Sequence, residues 1–111
     1  MKKIKTFLSL IFAKRVLNKN QAWKKNPLAF QKKTMLQLIE RAKKTKFGED
    51  HSFEKIKTYE DFKNNIPIRD YEGLSNYIDL IKKGKENVLW PGRPKYFCKP
   101  SGTTSGTKYI P

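Results

Sequence analysis

The residues best suited to chemistry stand together near the carboxyl end of this chain. Ser101-Gly102-Thr103-Thr104-Ser105-Gly106-Thr107-Lys108 puts two glycines, five hydroxyl residues and a lysine into eight positions. Gly102 and Gly106 permit positive φ and close approach of backbone to a ligand, so that successive N–H groups turn into one concavity. Ser101, Thr103, Thr104, Ser105 and Thr107 add hydroxyl donors, and Lys108 adds a mobile cation. Phosphate is the guest such a set favours. Spacing excludes two common phosphate loops. A Walker A loop needs a glycine five places after the first, then lysine, then serine or threonine. Counted from Gly102, those places hold Thr107, Lys108 and Tyr109. The dinucleotide fingerprint G-x-G-x-x-G also fails, because these glycines lie four apart. A flexible linker shares the composition without any ligand.

A loop of this kind needs a stem on each side. Tyr96-Phe97-Cys98 leads in, Tyr109-Ile110 leads out, and Val88-Leu89-Trp90 ahead of Pro91-Gly92 is a third short apolar run. The expectation is short β-strands flanking the loop, which then sits at a strand's carboxyl end, where α/β sheets place ligands. Residues 1–87 read as mainly helical. Ile4, Phe7, Leu8, Ile11 and Phe12 follow the i, i+3, i+4 rule, predicting a basic amphipathic helix over residues 1–20 that ends near Asn18 to Asn20 and docks on a larger domain. Its apolar run is far too short to span a bilayer. Lys14-Arg15 follow at once, without the cleavage site of a secretory signal. Membrane-surface binding is the alternative to docking.

Asn26-Pro27 starts a second helix, with Leu28, Met35, Leu38, Ile39 and Ala42 on one face, Phe30 and Leu36 widening it, and Gly48 as a left-handed stop just beyond Lys46. Residues 47–53 read as an exposed turn carrying the lone histidine, His51. Glu49 and Asp50 are too close to it in sequence to converge on one ion, so no metal site is expected. Thr58-Tyr59-Glu60-Asp61 has the form of a capping box, and its helix must end at Ile66-Pro67. Asp70 caps the next helix, with Leu74, Tyr77, Ile78 and Ile81 along one side, Gly73 weakening the first turn and Gly84 closing the end.

The net charge of +15 is unevenly placed: residues 1–46 carry fourteen Lys/Arg against Glu40 alone, residues 47–111 eleven against nine. Such a segment suits nucleic acid or an anionic membrane surface, although lysines at helical spacing usually face water. No finger spacing or RNP-like strand is present, so no specific nucleic-acid partner is expected. Cys98 is the single cysteine. That excludes an intrachain disulfide and is compatible with a reducing, cytoplasmic setting. With His51 the one possible base and far away in sequence, Cys98 reads as a small core residue at the loop's edge rather than a nucleophile.

The run Ser101-Gly102-Thr103-Thr104, with Lys108 six places after Gly102, resembles the phosphate loop of acyl-adenylate-forming enzymes, S-G-T-T-G-x-x-K. Ser105 stands where the commonest forms have glycine, and Gly106 follows one step later. That variant, closed by Tyr109-Ile110-Pro111, is similar to the auxin-responsive Gretchen Hagen family of acyl-acid amido synthetases. The order Phe47-Gly48, Ile66-Pro67-Ile68-Arg69-Asp70-Tyr71, Tyr77-Ile78 and Gly84 resembles the same family's segment ahead of its loop. The resemblance implies an α/β parent enzyme of several hundred residues, of which residues 1–111 are an incomplete N-terminal part of one adenylating domain. It further implies ATP and Mg2+, a small carboxylic acid as substrate, an amine such as an amino acid as acceptor, and phosphate contacts from Ser101, Gly102, Thr103, Thr104, Ser105, Gly106 and Lys108. No catalytic residue is assigned within the chain, and the piece alone is expected to be inactive.

Overall fold

Asn26 and Pro27 interrupt what would otherwise be one long helix. In the computed structural model, which describes residues 2–101 and 106–111, α1 runs Lys2–Lys25 and α2 runs Pro27–Ala42. The Asn26 side chain accepts the Ala29 N–H at 3.2 Å, capping α2, and Pro27 sits at the first helical position, where its missing N–H costs nothing. α1 passes Asn18 and Asn20, its expected end, because asparagine is only a mildly poor helix former and the first strong breaker is Pro27. The chain divides into two units, Met1–Thr34 and Met35–Pro111.

In the first unit the apolar face expected of α1 lies open. Ile4, Phe7, Leu8, Leu10, Ile11 and Phe12 are each more than half exposed. Where α1 meets α2, Trp23, Pro27, Leu28 and Phe30 line an open groove of about 540 Å³ with Gln31 and Thr34.

The second unit is built around a helix that the sequence reading did not anticipate, α3 (Lys46–Asp50). α2 stops at Ala42, and Thr45 begins the new helix. The Thr45 side chain, 1% exposed, donates to the Ala42 carbonyl at 2.7 Å and accepts the Gly48 N–H at 3.0 Å. Gly48 is therefore not a left-handed stop. It lies inside α3, where a methyl group would run into the Ala42 carbonyl, so close approach selects glycine at this position. The remaining free donors of the first turn are met by distant backbone: Lys46 N–H bonds Asn87 O at 2.8 Å and Phe47 N–H bonds Val88 O at 2.9 Å.

Two apolar clusters flank α3. Ile39, Ala42, Phe53 and Ile56 form one; Tyr77, Ile81 and Val88 form the other, and Phe47 packs against both. The Phe47 ring meets Phe53 edge to face at 5.8 Å and Tyr77 at 5.2 Å, and stacks on His51 at 4.0 Å. Of the apolar residues read on α2, Ile39 and Ala42 are buried, Met35 and Leu36 half-buried, and Leu28, Phe30 and Leu38 exposed.

The later helices form where their end signals lie. α4 (Tyr59–Asn65) opens with the Thr58–Asp61 capping box and closes at Ile66, extended ahead of Pro67. Asp70 accepts the Gly73 N–H at 2.8 Å, but what it caps is a 3-10 turn, Glu72–Leu74, which runs into α5 (Ser75–Lys82). Tyr77, Ile78 and Ile81 are the buried face of α5, and the chain reverses at Gly84, φ +89°. The short strands expected beside the loop do not form. Among the described residues there is no strand, only an isolated antiparallel bridge between Cys98 and Ile110. Extending that bridge towards the loop would pair Pro100 with Lys108, and Pro100 has no N–H to give. Cys98 is exposed in this bridge rather than part of a core.

Two outcomes follow. Thr45→Val keeps the shape but leaves the buried Gly48 N–H without its partner, and lowers unfolding free energy by about 1–3 kcal/mol in urea titration; an unchanged midpoint would remove Thr45 from its central place. The Asp61 carboxylate is held below its ordinary value by the Lys57 and Thr58 N–H groups and the Thr58 hydroxyl. A carboxylate depressed on folding contributes stability that is full above its unfolded value and is lost as pH falls through its folded one. The stability gap between wild type and Asp61→Asn is therefore constant near neutrality and closes as acid titration passes below the ordinary carboxylate range.

Candidate phosphate site

α3 reaches the loop through a relay of polar side chains. His51, expected in an exposed turn, is 5% exposed at the end of α3. Its Nδ1 lies 2.8 Å from Phe47 O, and only a protonated nitrogen bonds a carbonyl, so Nδ1 carries the hydrogen. That leaves Nε2 to accept from the Arg69 guanidinium at 2.9 Å. Next to it, Asp50 takes the Tyr77 hydroxyl at 2.8 Å and Lys46 at 3.0 Å. Lys46, then Tyr77, holds Asp50 below the usual carboxylate range, while burial first and the Asp50 bond second push the Tyr77 hydroxyl up. Arg69 is thereby fixed beside α3, and Asp70 and Tyr71 follow it directly.

Tyr71 closes the relay on the loop. Its hydroxyl accepts the Tyr109 N–H at 2.8 Å and lies 3.4 Å from Tyr109 O, to which it donates. The adjacent bridge pairs both backbone groups of Cys98 and Ile110, at 2.8 and 3.0 Å. These contacts pinch residues 98 and 110 together.

Cations gather on this base. Lys108 Nζ lies 5.4 Å from the centre of the Tyr71 ring, and Lys82 and Lys99 lie 5.1 and 5.5 Å from that of Tyr109. Phe97 packs edge-on against the Tyr109 ring at 6.2 Å. Of the three lysines, Lys82 also holds a carboxylate, Asp79, at 3.2 Å. A pocket of about 510 Å³ opens beside the base, lined by Tyr71, Leu74, Ile78, Trp90, Tyr109 and Pro111 among others. Its mostly apolar wall lowers the local dielectric, which strengthens the attraction of the lysines for an anion.

Of the loop residues named from sequence, Ser101 and Gly106 are exposed and Lys108 is half-buried against Tyr71. Gly106 adopts φ +89° with open space around it, the left-handed geometry its glycine permits. Gly102, Thr103, Thr104 and Ser105 lie outside the described residues. Tyr71, Lys82 and Lys99 were not singled out from sequence. Tyr71 lies 38 residues from Tyr109, and no spacing rule links such a pair. Among the described residues no group of three or more His, Cys, Asp or Glu is placed to hold a metal. The donor set of lysines and hydroxyls fits phosphate oxygens, on which a magnesium ion would ride rather than in a protein cage.

If Tyr71 is the clasp, Tyr71→Phe leaves the Tyr109 N–H without its partner. Hydrogen exchange at Tyr109 then accelerates about tenfold, the value of one net hydrogen bond of roughly 1.4 kcal/mol. Exchange at the α3 amides stays as it was, and an unaltered Tyr109 rate would show the clasp to be incidental.

No curated protein and no solved structure matches the chain significantly. The GH3 family N-terminal domain matches it over residues 16–111. That span contains α3, the relay through Arg69 and Tyr71, and the whole loop that Ser101 opens. The chain belongs to the GH3 family, that of the auxin-responsive acyl-acid amido synthetases, and its residues 16–111 fall within the family's N-terminal domain.

Proposed function

We propose that residues 1–111 are the leading part of a single adenylating domain in an ATP-dependent ligase. The enzyme joins a carboxylic acid to AMP and then passes the acyl group to an amine such as an amino acid. The observation that carries this reading is the cluster of Lys82, Lys99 and Lys108 at the pinched base of a glycine- and hydroxyl-rich loop, in a member of the GH3 family. In the first step a carboxylate oxygen attacks the α-phosphorus of ATP, and pyrophosphate leaves with the electrons of the broken P–O bond. Negative charge grows on phosphate oxygens as this happens, and donors already in position stabilise it without reorganising water.

Within this reading Ser101, Thr103, Thr104 and Ser105 donate hydroxyl hydrogen bonds to the phosphates, and Gly102 and Gly106 turn backbone N–H groups inward. Lys108 neutralises the charge that repels the incoming carboxylate. Bound magnesium would supply further neutralisation across the phosphates. The clasp by Tyr71 has a role in the same step, since a loop that must present several donors at once loses catalytic power when it is loose. A cytoplasmic setting, where ATP is abundant and the exposed thiol of Cys98 stays reduced, belongs to the proposal.

Acid-dependent exchange between ATP and pyrophosphate, measured on the complete gene product across a panel of carboxylic acids, tests the reaction. Lys108→Ala is expected to lower the exchange rate about a hundredfold, the scale of losing one preorganised donor to developing charge. No exchange with any acid overturns the ligase reading, whereas full exchange in Lys108→Ala overturns the part given to the loop lysine.

A further inference from the structure

The most exposed apolar surface lies away from the loop, on α1. Ile4, Phe7, Leu8, Leu10, Ile11 and Phe12 fall within nine consecutive residues and are 53–69% exposed. Scattered exposed leucines are ordinary, but a contiguous patch of this kind marks a surface that meets something. At 100° per residue the six side chains cover an arc of about 200°, from Leu10 through Phe7, Ile11, Ile4 and Leu8 to Phe12. One turn later Lys14, Arg15 and Lys19 take over the same side of the helix. Over its whole length α1 carries eight Lys/Arg and no Asp or Glu. On the polar side, Ser9 Oγ donates to Lys5 O at 2.8 Å, so this hydroxyl is satisfied within the helix. The matched GH3 residues begin at Val16, so the whole patch precedes them.

We propose that the first turns of α1 bind the surface of an anionic lipid bilayer, lying in its plane. Charge and apolar area together select this occupant. A nucleic acid would use the lysines but has no place for Ile4, Leu8, Leu10 and Ile11. A second copy of the chain would bring eight more positive charges against the first eight, and the apolar stripe breaks after Phe12 where Lys14, Arg15 and Asn18 interrupt any heptad. The interface of an anionic bilayer takes both features, with apolar side chains among the upper acyl chains and cations at the phosphates. No described helix is long and apolar enough to cross a membrane, so the helix lies on the surface rather than through it.

Cosedimentation of the full chain with phosphatidylcholine vesicles, with and without phosphatidylglycerol, tests the proposal. Wild type is expected to pellet with the anionic vesicles, less so as salt is raised, and to stay in solution with phosphatidylcholine alone. The double variant Phe7→Ser/Ile11→Ser retains every charge, and its binding falls about tenfold or more. Lys14→Gln/Arg15→Gln/Lys19→Gln retains the apolar patch and loses about fivefold per cation removed. All the substituted side chains are exposed on α1, and an unchanged thermal transition in both variants shows that Met35–Pro111 is still folded. Absence of vesicle binding by wild type overturns the proposal. So does binding that Phe7→Ser/Ile11→Ser leaves intact, which would mean unspecific attraction of a polycation. Self-association in ultracentrifugation that this double variant abolishes, without vesicle binding, would assign the patch to a second copy instead.

Discussion

The amino end of α3 is the constraint on which the second unit depends. A helix of five residues cannot stand by its own hydrogen bonds, because forming a first turn fixes many dihedrals for little return. α3 exists because each donor of its first turn has a specific acceptor. Thr45 takes the N–H of Gly48 with its hydroxyl and that of Glu49 with its carbonyl, and Asn87 and Val88 take those of Lys46 and Phe47. Two of those acceptors come from the segment after α5. The bonds that form the helix therefore also tie residues 87 and 88 to the end of α2.

Packing reinforces the same junction. Phe47 leaves α3 between the two apolar clusters and touches both, and the fully covered Val88 sits in the one that includes α5. The space left for α3 against α2 is so small that Gly48 has no room for a side chain. A buried polar group without a partner costs more than a made hydrogen bond gains. The close packing at α3 and the full pairing of its donors are therefore linked requirements, not separate features.

From that junction the loop inherits its position. His51 at the end of α3 holds Arg69, Tyr71 follows two residues later, and its hydroxyl holds both backbone groups of Tyr109. Three lysines then converge on two tyrosine rings. Like charges gathered this closely repel one another, and cation–π contacts offset only part of that cost. An anion would relieve such repulsion, which is the physical argument behind the proposed phosphate-bearing ligand.

What the sequence determined by itself is what acts across one helical turn. The caps at Asn26 and at Thr58 with Asp61, the stop at Ile66-Pro67 and the reversal at Gly84 all stand where they were read, because each involves groups at most four residues apart. The composition of the Ser101–Lys108 loop was equally open to reading, and so was its kinship with the GH3 family. The tertiary structure alone decided the burial of His51, the close-packed role of Gly48, the reduction of the expected strands to a single bridge, and the recruitment of Tyr71, Lys82 and Lys99 to the loop. Each of these follows from a packing gap, a missing proline N–H or a partner tens of residues away. No local pattern records such a distance, since it exists only once the two helical clusters have closed on α3.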